Sequence, residues 1–170
     1  MGEDGGVDPA RTLVIMRHAK AAPGTDRADV DRPLTPRGRS DAASAGPWLV
    51  GHGFAPDLVL CSSARRARET WQSVAPGLVP ERPVRYEEDL YGAVAGELLF
   101  ALHGLAEKVR TVLLIGHNPA VSTLSLVLDP AGADPGGLRT SGIAVHAGPD
   151  DWAAWEPGRS PLVAAFTARA

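Results

Sequence analysis

Short apolar runs alternate with segments of helical periodicity along the chain. Residues 12–16 and 111–115 are almost wholly apolar, which is the pattern of strands covered on both faces of a sheet. Further strands are predicted at residues 58–61, 82–86, 143–146 and 162–167. Strands that alternate with helices are typical of βαβ units. We therefore expect an α/β fold with a mainly parallel central sheet and helices on both faces.

Four helices are predicted between the strands, at residues 35–50, 64–74, 97–109 and 118–128. Thr35 before Pro36 is a typical helix start, because a threonine side chain caps the first amides and proline fits the first helical position. Pro47 favours a kink within this helix, since an interior proline removes a backbone hydrogen bond. Residues 118–119, Asn-Pro, are expected to cap the fourth helix.

The length of 170 residues suits one domain, which we expect to span residues 11–170. Residues 1–10 are predicted to be a disordered leader, because they are acidic, glycine-rich and poor in apolar side chains. This start does not resemble a signal peptide. No apolar run approaches the roughly 18 residues of a membrane span. We therefore expect a cytoplasmic protein with no membrane partner.

Composition narrows the classes of function. The formal net charge of -3 argues against a nucleic-acid partner, because general nucleic-acid binders usually carry a strong basic excess. Cys61 is the one cysteine of the chain, so an internal disulfide and a cysteine-based zinc cluster are both excluded.

Candidate functional residues directly follow three of the predicted strands. Arg17 and His18 follow the first strand, residues 62–66 the second, and His117 the apolar run at 111–115. Because ligands of an open α/β sheet bind beyond the carboxyl ends of its parallel strands, these residues are expected to share one rim. The planar guanidinium group of arginine and the N-terminus of a helix both suit the binding of a phosphate group.

Histidines among cations also suggest a mechanism. Nearby positive charges disfavour imidazolium, so one histidine can stay neutral and attack phosphorus as a nucleophile. The arginines would stabilise charge on the transferring group. No cofactor or metal is expected, because the arginines supply the positive charge and no carboxylate cluster accompanies the histidines in the sequence.

Four segments carry a family resemblance, at residues 13–20, 32–38, 62–70 and 116–119. In this order they resemble the motifs of the histidine phosphatase superfamily, whose hallmark is Arg-His-Gly. The resemblance is strongest to the SixA-type branch of that superfamily, the protein phosphohistidine phosphatases. The resemblance spans roughly residues 12–146 and implies a three-layer, phosphoglycerate mutase-like fold.

The resemblance also implies residue roles. His18 would be the catalytic nucleophile that becomes phosphohistidine. Arg17, Arg66 and His117 would be catalytic residues that hold the phosphoryl group of the substrate. For Lys20 two interpretations stay open, a substrate-binding side chain at the pocket mouth or a solvated one.

The second arginine of the phosphate site is identified by its position within the third motif. Arg66 directly precedes Ala67 and lies four residues before Thr70, as the motif requires. On a helix that begins near residue 64, Arg65 would point about 100° away from Arg66 and meet solvent.

The chain departs from the family pattern at three positions. Ala19 replaces the glycine of the hallmark, and Ser63 replaces the proline of Ser-Pro. Gly92 stands where mutase and acid-phosphatase relatives carry a glutamate that acts as general acid. The candidate substitutes for this glutamate are the carboxylates of Asp26, Glu88 and Asp89.

The missing acid favours an easy leaving group. Alcohols need a proton to leave, whereas imidazole leaves more easily because histidine has a pKa of about 6.5. The preferred function is a metal-independent phosphohydrolase acting on a phosphohistidine-bearing protein, such as a phosphotransfer domain of a signalling relay. The alternatives are a phosphomonoesterase for a small phosphorylated metabolite and a non-catalytic phosphoprotein-binding module.

Overall fold

The computed structural model describes residues 10–170, in which six strands form one sheet. The strands are β1 (Arg11–Arg17), β2 (Leu58–Ser62), β3 (Val84–Glu87), β4 (Thr111–Gly116), β5 (Gly142–Gly148) and β6 (Leu162–Thr167). Their order is β3-β2-β4-β1-β5-β6. The first four pair in parallel, and β5 pairs antiparallel with β1 and β6. The predicted mainly parallel sheet is confirmed. The predicted leader lies outside the described residues, apart from Ala10.

Five helices cover the two faces of the sheet. They are α1 (Pro36–Ala43), α2 (Ala45–Gly51), α3 (Arg65–Val74), α4 (Ala95–His103) and α5 (Ala120–Leu128). Alternate side chains of β1 point to opposite faces. Val14 and Met16 pack with α1, α2 and α3, whereas Leu13 and Ile15 pack with α4 and α5. The three-layer arrangement is therefore confirmed.

Two helix predictions are wrong in extent. The segment 35–50 forms two helices that divide at Ser44. The Ser44 hydroxyl donates to the carbonyl of Asp41 at 2.8 Å, and Pro47 has no N–H for the carbonyl of Ala43. The helix predicted at 97–109 runs from Ala95 to His103 instead. It ends there because Gly104 disfavours helix continuation.

The N-terminus of α1 is built as its sequence predicts and packs against the end of β1. The Thr35 hydroxyl accepts a hydrogen bond from the Gly38 amide at 2.9 Å. A Cβ at Gly38 would lie 2.3 Å from the carbonyl oxygen of Lys20. The glycine is therefore required for this close approach, which fixes the backbone two residues after His18.

The fourth helix begins directly after the residues predicted to cap it. Pro119 is its N-cap and Ala120 its first residue. The Asn118 side chain does not cap it but accepts from the Ser122 hydroxyl and donates to the carbonyl of Leu138. No helix among residues 10–170 is long and apolar enough to cross a membrane.

The chain leaves β1 and β4 toward opposite faces of the sheet, to α1 and to α5 respectively. The two strands are neighbours, and the amide of His18 donates to the carbonyl of Gly116 at 3.1 Å. Such a switch in direction opens a crevice at the carboxyl ends of the strands. The two motif histidines directly follow these strand ends.

Candidate active site

The fold brings four of the predicted site residues together at this crevice. Arg17 is the last residue of β1, and His18 and His117 directly follow β1 and β4. Arg66 lies in the first turn of α3. The two histidine rings are 5.2 Å apart between centroids. The side chain of Lys20 is exposed, and its role stays a prediction.

His18 is a neutral imidazole whose Nε2 carries no proton. Its Nδ1 lies 2.8 Å from the carbonyl oxygen of Ala19, and a carbonyl can only accept, so Nδ1 carries the proton. Nε2 accepts a hydrogen bond from Nε of Arg66 at 3.3 Å. Burial lowers the pKa of His18 to about 3, and the charges of Arg66 and Arg17 act in the same direction. At pH 7 the ring is therefore uncharged and nucleophilic.

His117 has the opposite tautomer. Its Nε2 lies 2.7 Å from the hydroxyl oxygen of Ser62, which also accepts from the Ala64 amide at 3.2 Å. Among the described residues, Nε2 is the one acceptor within reach of the buried Ser62 hydroxyl. The hydroxyl proton therefore points to Nε2, and Nδ1 of His117 carries the ring proton. Burial first, then Arg66, lowers the pKa of His117 to about 4. Nδ1 is buried and has no hydrogen-bond partner among the described residues.

The two arginines present donors to the same crevice. Arg17 donates from Nη1 to the carbonyl of Leu138 at 3.2 Å. Its buried Nε has no partner among residues 10–170. Arg66 donates from Nη1 to the backbone carbonyl of Asp29 at 2.8 Å and from Nη2 to its carboxylate at 3.1 Å. Unpaired N–H groups beside a neutral imidazole suit a bound oxyanion.

Thr70 links α3 to the segment that follows His18 through two hydrogen bonds. Its hydroxyl donates to the carbonyl of Arg66 at 2.7 Å and accepts from the amide of Ala19 at 2.9 Å. Thr70 is fully buried, so both bonds lie away from water. The position of Arg66 relative to His18 therefore depends on this threonine.

Sequence reasoning missed two residues at the mouth of the site. The carboxylate of Asp29 accepts from the hydroxyl of Tyr91 at 2.5 Å as well as from Arg66. The ring of Tyr91 meets that of His117 edge-on, with centroids 5.6 Å apart. Hydrogen bonds from Tyr91 and then Arg32 hold the pKa of Asp29 well below its usual range. No motif signals this pair, because 62 residues separate its members.

The general-acid candidates from the sequence do not meet the histidines. Glu88 and Asp89 are exposed, and Asp89 lines a separate cavity with Phe100. Asp26 is also exposed, and the carboxylate that its loop brings to the site is that of Asp29. Asp29 is ionised at neutral pH because its pKa is lowered. It is therefore a hydrogen-bond acceptor there and not a proton donor.

Arg65 points away from the site, as its register predicts. Its Nε donates to the carboxylate of Glu69 at 3.0 Å on the exposed side of α3. Nearby, Arg68 donates to the carbonyl of Ser63 at 2.9 Å. Of the three arginines in this turn, Arg66 faces His18.

Comparison with known proteins agrees with the motifs. The sequence model of the histidine phosphatase superfamily (branch 1) matches residues 13–99. An uncharacterized protein of Mycobacterium tuberculosis is 43% identical over 156 residues, covering 87% of this chain and 96% of that protein. Phosphohistidine phosphatase SixA of Escherichia coli is 35% identical over 135 residues, covering 78% of this chain and 82% of that protein.

Solved structures share the fold over nearly the whole chain. A protein of Nakamurella multipartitia, provisionally assigned as phosphohistidine phosphatase SixA, superposes with a TM-score of 0.81 at 34% identity, covering 96% of this chain and 100% of that one. The protein histidine phosphatase SixA complexed with tungstate superposes with a TM-score of 0.78 at 28% identity, covering 92% of this chain and 96% of that one.

Proposed function

This chain belongs to the histidine phosphatase superfamily and is a phosphatase, and we propose that it removes the phosphoryl group from phosphohistidine on a protein. Its relatives include the phosphohistidine phosphatase SixA of Escherichia coli. Membership in a phosphatase family leaves no support for a non-catalytic binding module.

One observation carries the proposed mechanism: His18 has an unprotonated Nε2, and the neighbouring His117 and Arg17 carry donors without partners among the described residues. Nδ1 of His117 and Nε of Arg17 are both buried and without partners among residues 10–170. Arg66 adds its guanidinium at 3.3 Å from the nucleophilic nitrogen. Donors placed this way stabilise the negative charge on the equatorial oxygens of a transferring phosphoryl group.

The reaction follows in two steps. Nε2 of His18 attacks phosphorus, the bond from phosphorus to the leaving nitrogen breaks, and its electron pair stays on the leaving imidazole, which is neutral because its other nitrogen carries a proton. Water then attacks the phosphorus of the phosphorylated His18 and gives up one proton to solvent. The bond from phosphorus to Nε2 breaks, its electron pair returns to Nε2, and inorganic phosphate leaves the neutral ring. Nε of Arg66, which donates to Nε2, turns to a phosphoryl oxygen during the transfer.

The absence of a proton donor supports an imidazole leaving group. The only carboxylate that the described residues bring to the mouth, Asp29, is ionised. An alkoxide needs a proton from the site to leave, whereas a phosphohistidine ring that already carries a proton on its other nitrogen leaves as neutral imidazole. A phosphohistidine substrate therefore fits this site better than a sugar phosphate.

The test is a rapid-quench experiment with a phosphohistidine-bearing phosphotransfer protein as donor. Intact-protein mass should gain one phosphoryl group in the wild type and none in His18→Ala, which should lose turnover at least about a thousandfold. His52→Ala is the matched control, because His52 is exposed and bonds only the carbonyl of Trp48 in the described chain. Undiminished turnover of His18→Ala would refute the nucleophile, and faster turnover of a sugar phosphate would refute the substrate class.

A further inference from the structure

A groove of about 440 Å³ begins at the catalytic crevice and runs outward. Tyr91 and His117 form its inner end, and its walls continue through Ala93, Val94, Pro119 and Ala120. We call this cavity the outer groove. It shares His117 with the crevice, so a substrate whose phosphoryl group meets His18 has its leaving group beside the outer groove.

The outer groove offers no counter-charge to an anionic leaving group. Among the described residues, no lysine, arginine, aspartate or glutamate lines it. His117 is neutral at pH 7, because burial lowers its pKa to about 4. The hydroxyl of Tyr91 donates to the Asp29 carboxylate, which is already paired with Arg66 and Arg32. A second phosphate on a metabolite would therefore find no cation along the walls of the outer groove.

The outer groove has open space beside Gly92, and its mouth is apolar. A Cβ at Gly92 would meet no atom within 4 Å, so the space that a longer side chain would occupy is open. Val94 at the mouth is 61% exposed. A cavity of this size is larger than one imidazole ring needs, because ligand pockets of 300–1,000 Å³ bury drug-sized molecules.

The surface beyond the outer groove mixes apolar with charged side chains and extends beyond the reach of a small molecule. Ala93 lines both the outer groove and a second cavity of about 340 Å³ on its other side. Phe100, which lines that second cavity, is 76% exposed. An exposed aromatic side chain surrounded by charged ones, here Arg85, Glu87, Asp89 and Glu97, suits contact with a protein surface, which is apolar at its centre and polar at its rim.

We propose that the outer groove is the docking subsite for a phosphohistidine-bearing protein, which inserts the phosphorylated ring past Tyr91 and lays apolar surface on Val94 and Phe100. This inference rests on the proposed function and adds to it where the partner binds. A protein bound this way would cover side chains that a free phosphorylated metabolite would leave exposed.

The test compares two substrates that differ only in what carries the phosphorylated ring. One is a phosphohistidine-bearing phosphotransfer protein, and the other is the free amino acid phosphohistidine. Val94→Asp should lower kcat/KM for the protein about tenfold or more through KM, and change it less than about twofold for the free amino acid. Phe100→Ala should lower kcat/KM about threefold, again for the protein alone.

Aspartate is chosen for position 94 because this substitution is not expected to destabilise the fold. Val94 is the N-cap of α4 and makes no capping bond with its side chain, whereas aspartate is a preferred N-cap. The melting temperature of Val94→Asp should therefore equal or exceed that of the wild type. Val79→Asp is the matched control, because Val79 is 83% exposed and lines no part of the outer groove.

The outcomes separate this inference from the proposed function. A wild type that hydrolyses neither substrate would overturn the proposed function and the docking subsite together. Wild-type turnover with Val94→Asp unchanged on the protein would overturn the docking subsite alone. An equal loss on both substrates would also overturn it, because position 94 would then act on the chemistry rather than on the protein partner.

Discussion

The hydroxyl oxygen of Ser62 lies 2.7 Å from Nε2 of His117, and this contact sets which nitrogen of the ring carries the proton. The amide of Ala64 already occupies one lone pair of that oxygen. Among the described residues Nε2 is the one acceptor that the hydroxyl reaches, so the hydroxyl donates to Nε2 and Nδ1 becomes the donor. A fully buried serine thus gives the second histidine the tautomer that a phosphoryl oxygen requires.

Replacing Ser62 tests this relationship. Ser62→Ala should lower kcat about tenfold to a hundredfold, because His117 loses the bond that holds its donor tautomer. Nitrogen-15 spectra of the histidine rings should show the Nδ1–H tautomer in the wild type and a mixture in the variant. Ser63→Ala is the control, since the Ser63 hydroxyl is not part of this chain of bonds. An unchanged His117 spectrum in Ser62→Ala would refute the assignment.

Thr70 is expected to position His18 through its hydrogen bond to the backbone amide of Ala19. Thr70→Val keeps the side-chain shape but leaves the buried amide of Ala19 without its acceptor, which costs about 1–3 kcal/mol of unfolding free energy. Urea denaturation measures that loss, and phosphatase assays should show a lower kcat. Thr70→Ser keeps the hydroxyl and should recover most of the activity. Equal activity of Thr70→Val and Thr70→Ser would contradict the role of the bond.

Asp29 is expected to compete with phosphate for Arg66. Its carboxylate takes one donor of Nη2 and adds a negative charge at the mouth. Asp29→Ala should therefore strengthen inhibition by inorganic phosphate about threefold to tenfold, since an anion no longer faces a carboxylate. Asp26→Ala, an exposed carboxylate of the same loop, is the matched control. Weaker phosphate inhibition of Asp29→Ala would show that Asp29 orders the arginine more than it opposes the anion.

The two histidines of the site should make the fold sensitive to acid, in addition to buried His146, whose pKa is also lowered by burial. Burial lowers the pKa of His18 to about 3 and that of His117 to about 4, whereas both return to about 6.5 when the chain unfolds. Between those values the unfolded chain binds protons that the folded chain excludes. The free energy of unfolding should therefore fall as the pH drops from 7 toward 4, by at most about 1.4 kcal/mol per pH unit for each proton.

Urea titrations at pH 7, 6 and 5 measure this dependence. The double variant His18→Gln/His117→Gln should show a shallower loss of stability on acidification than the wild type. His52→Gln is the control, because His52 is exposed at the end of α2. Parallel curves for the wild type and the double variant would exclude these two rings as the source of the acid sensitivity.

Local patterns in the sequence sufficed for most of the sheet and for the site residues that follow its strands. The apolar runs predicted β1 and β4 almost to the residue, because strands buried on both faces need continuous apolar side chains. Helix ends were predicted less well. The predicted helix at 97–109 passed through Gly104, where the chain leaves the helix, because its leucine stripe signals a buried face and not an endpoint.

The amino-acid sequence by itself determined which residue types follow each strand, and so brought Arg17, His18 and His117 to one rim. Only the tertiary structure decided that Asp29 meets Tyr91 and Arg66 at the mouth. It also decided the tautomers and pKa values of the two histidines. Periodicity and motifs act over neighbouring residues, whereas desolvation and hydrogen-bond partners depend on which distant segments pack around a group.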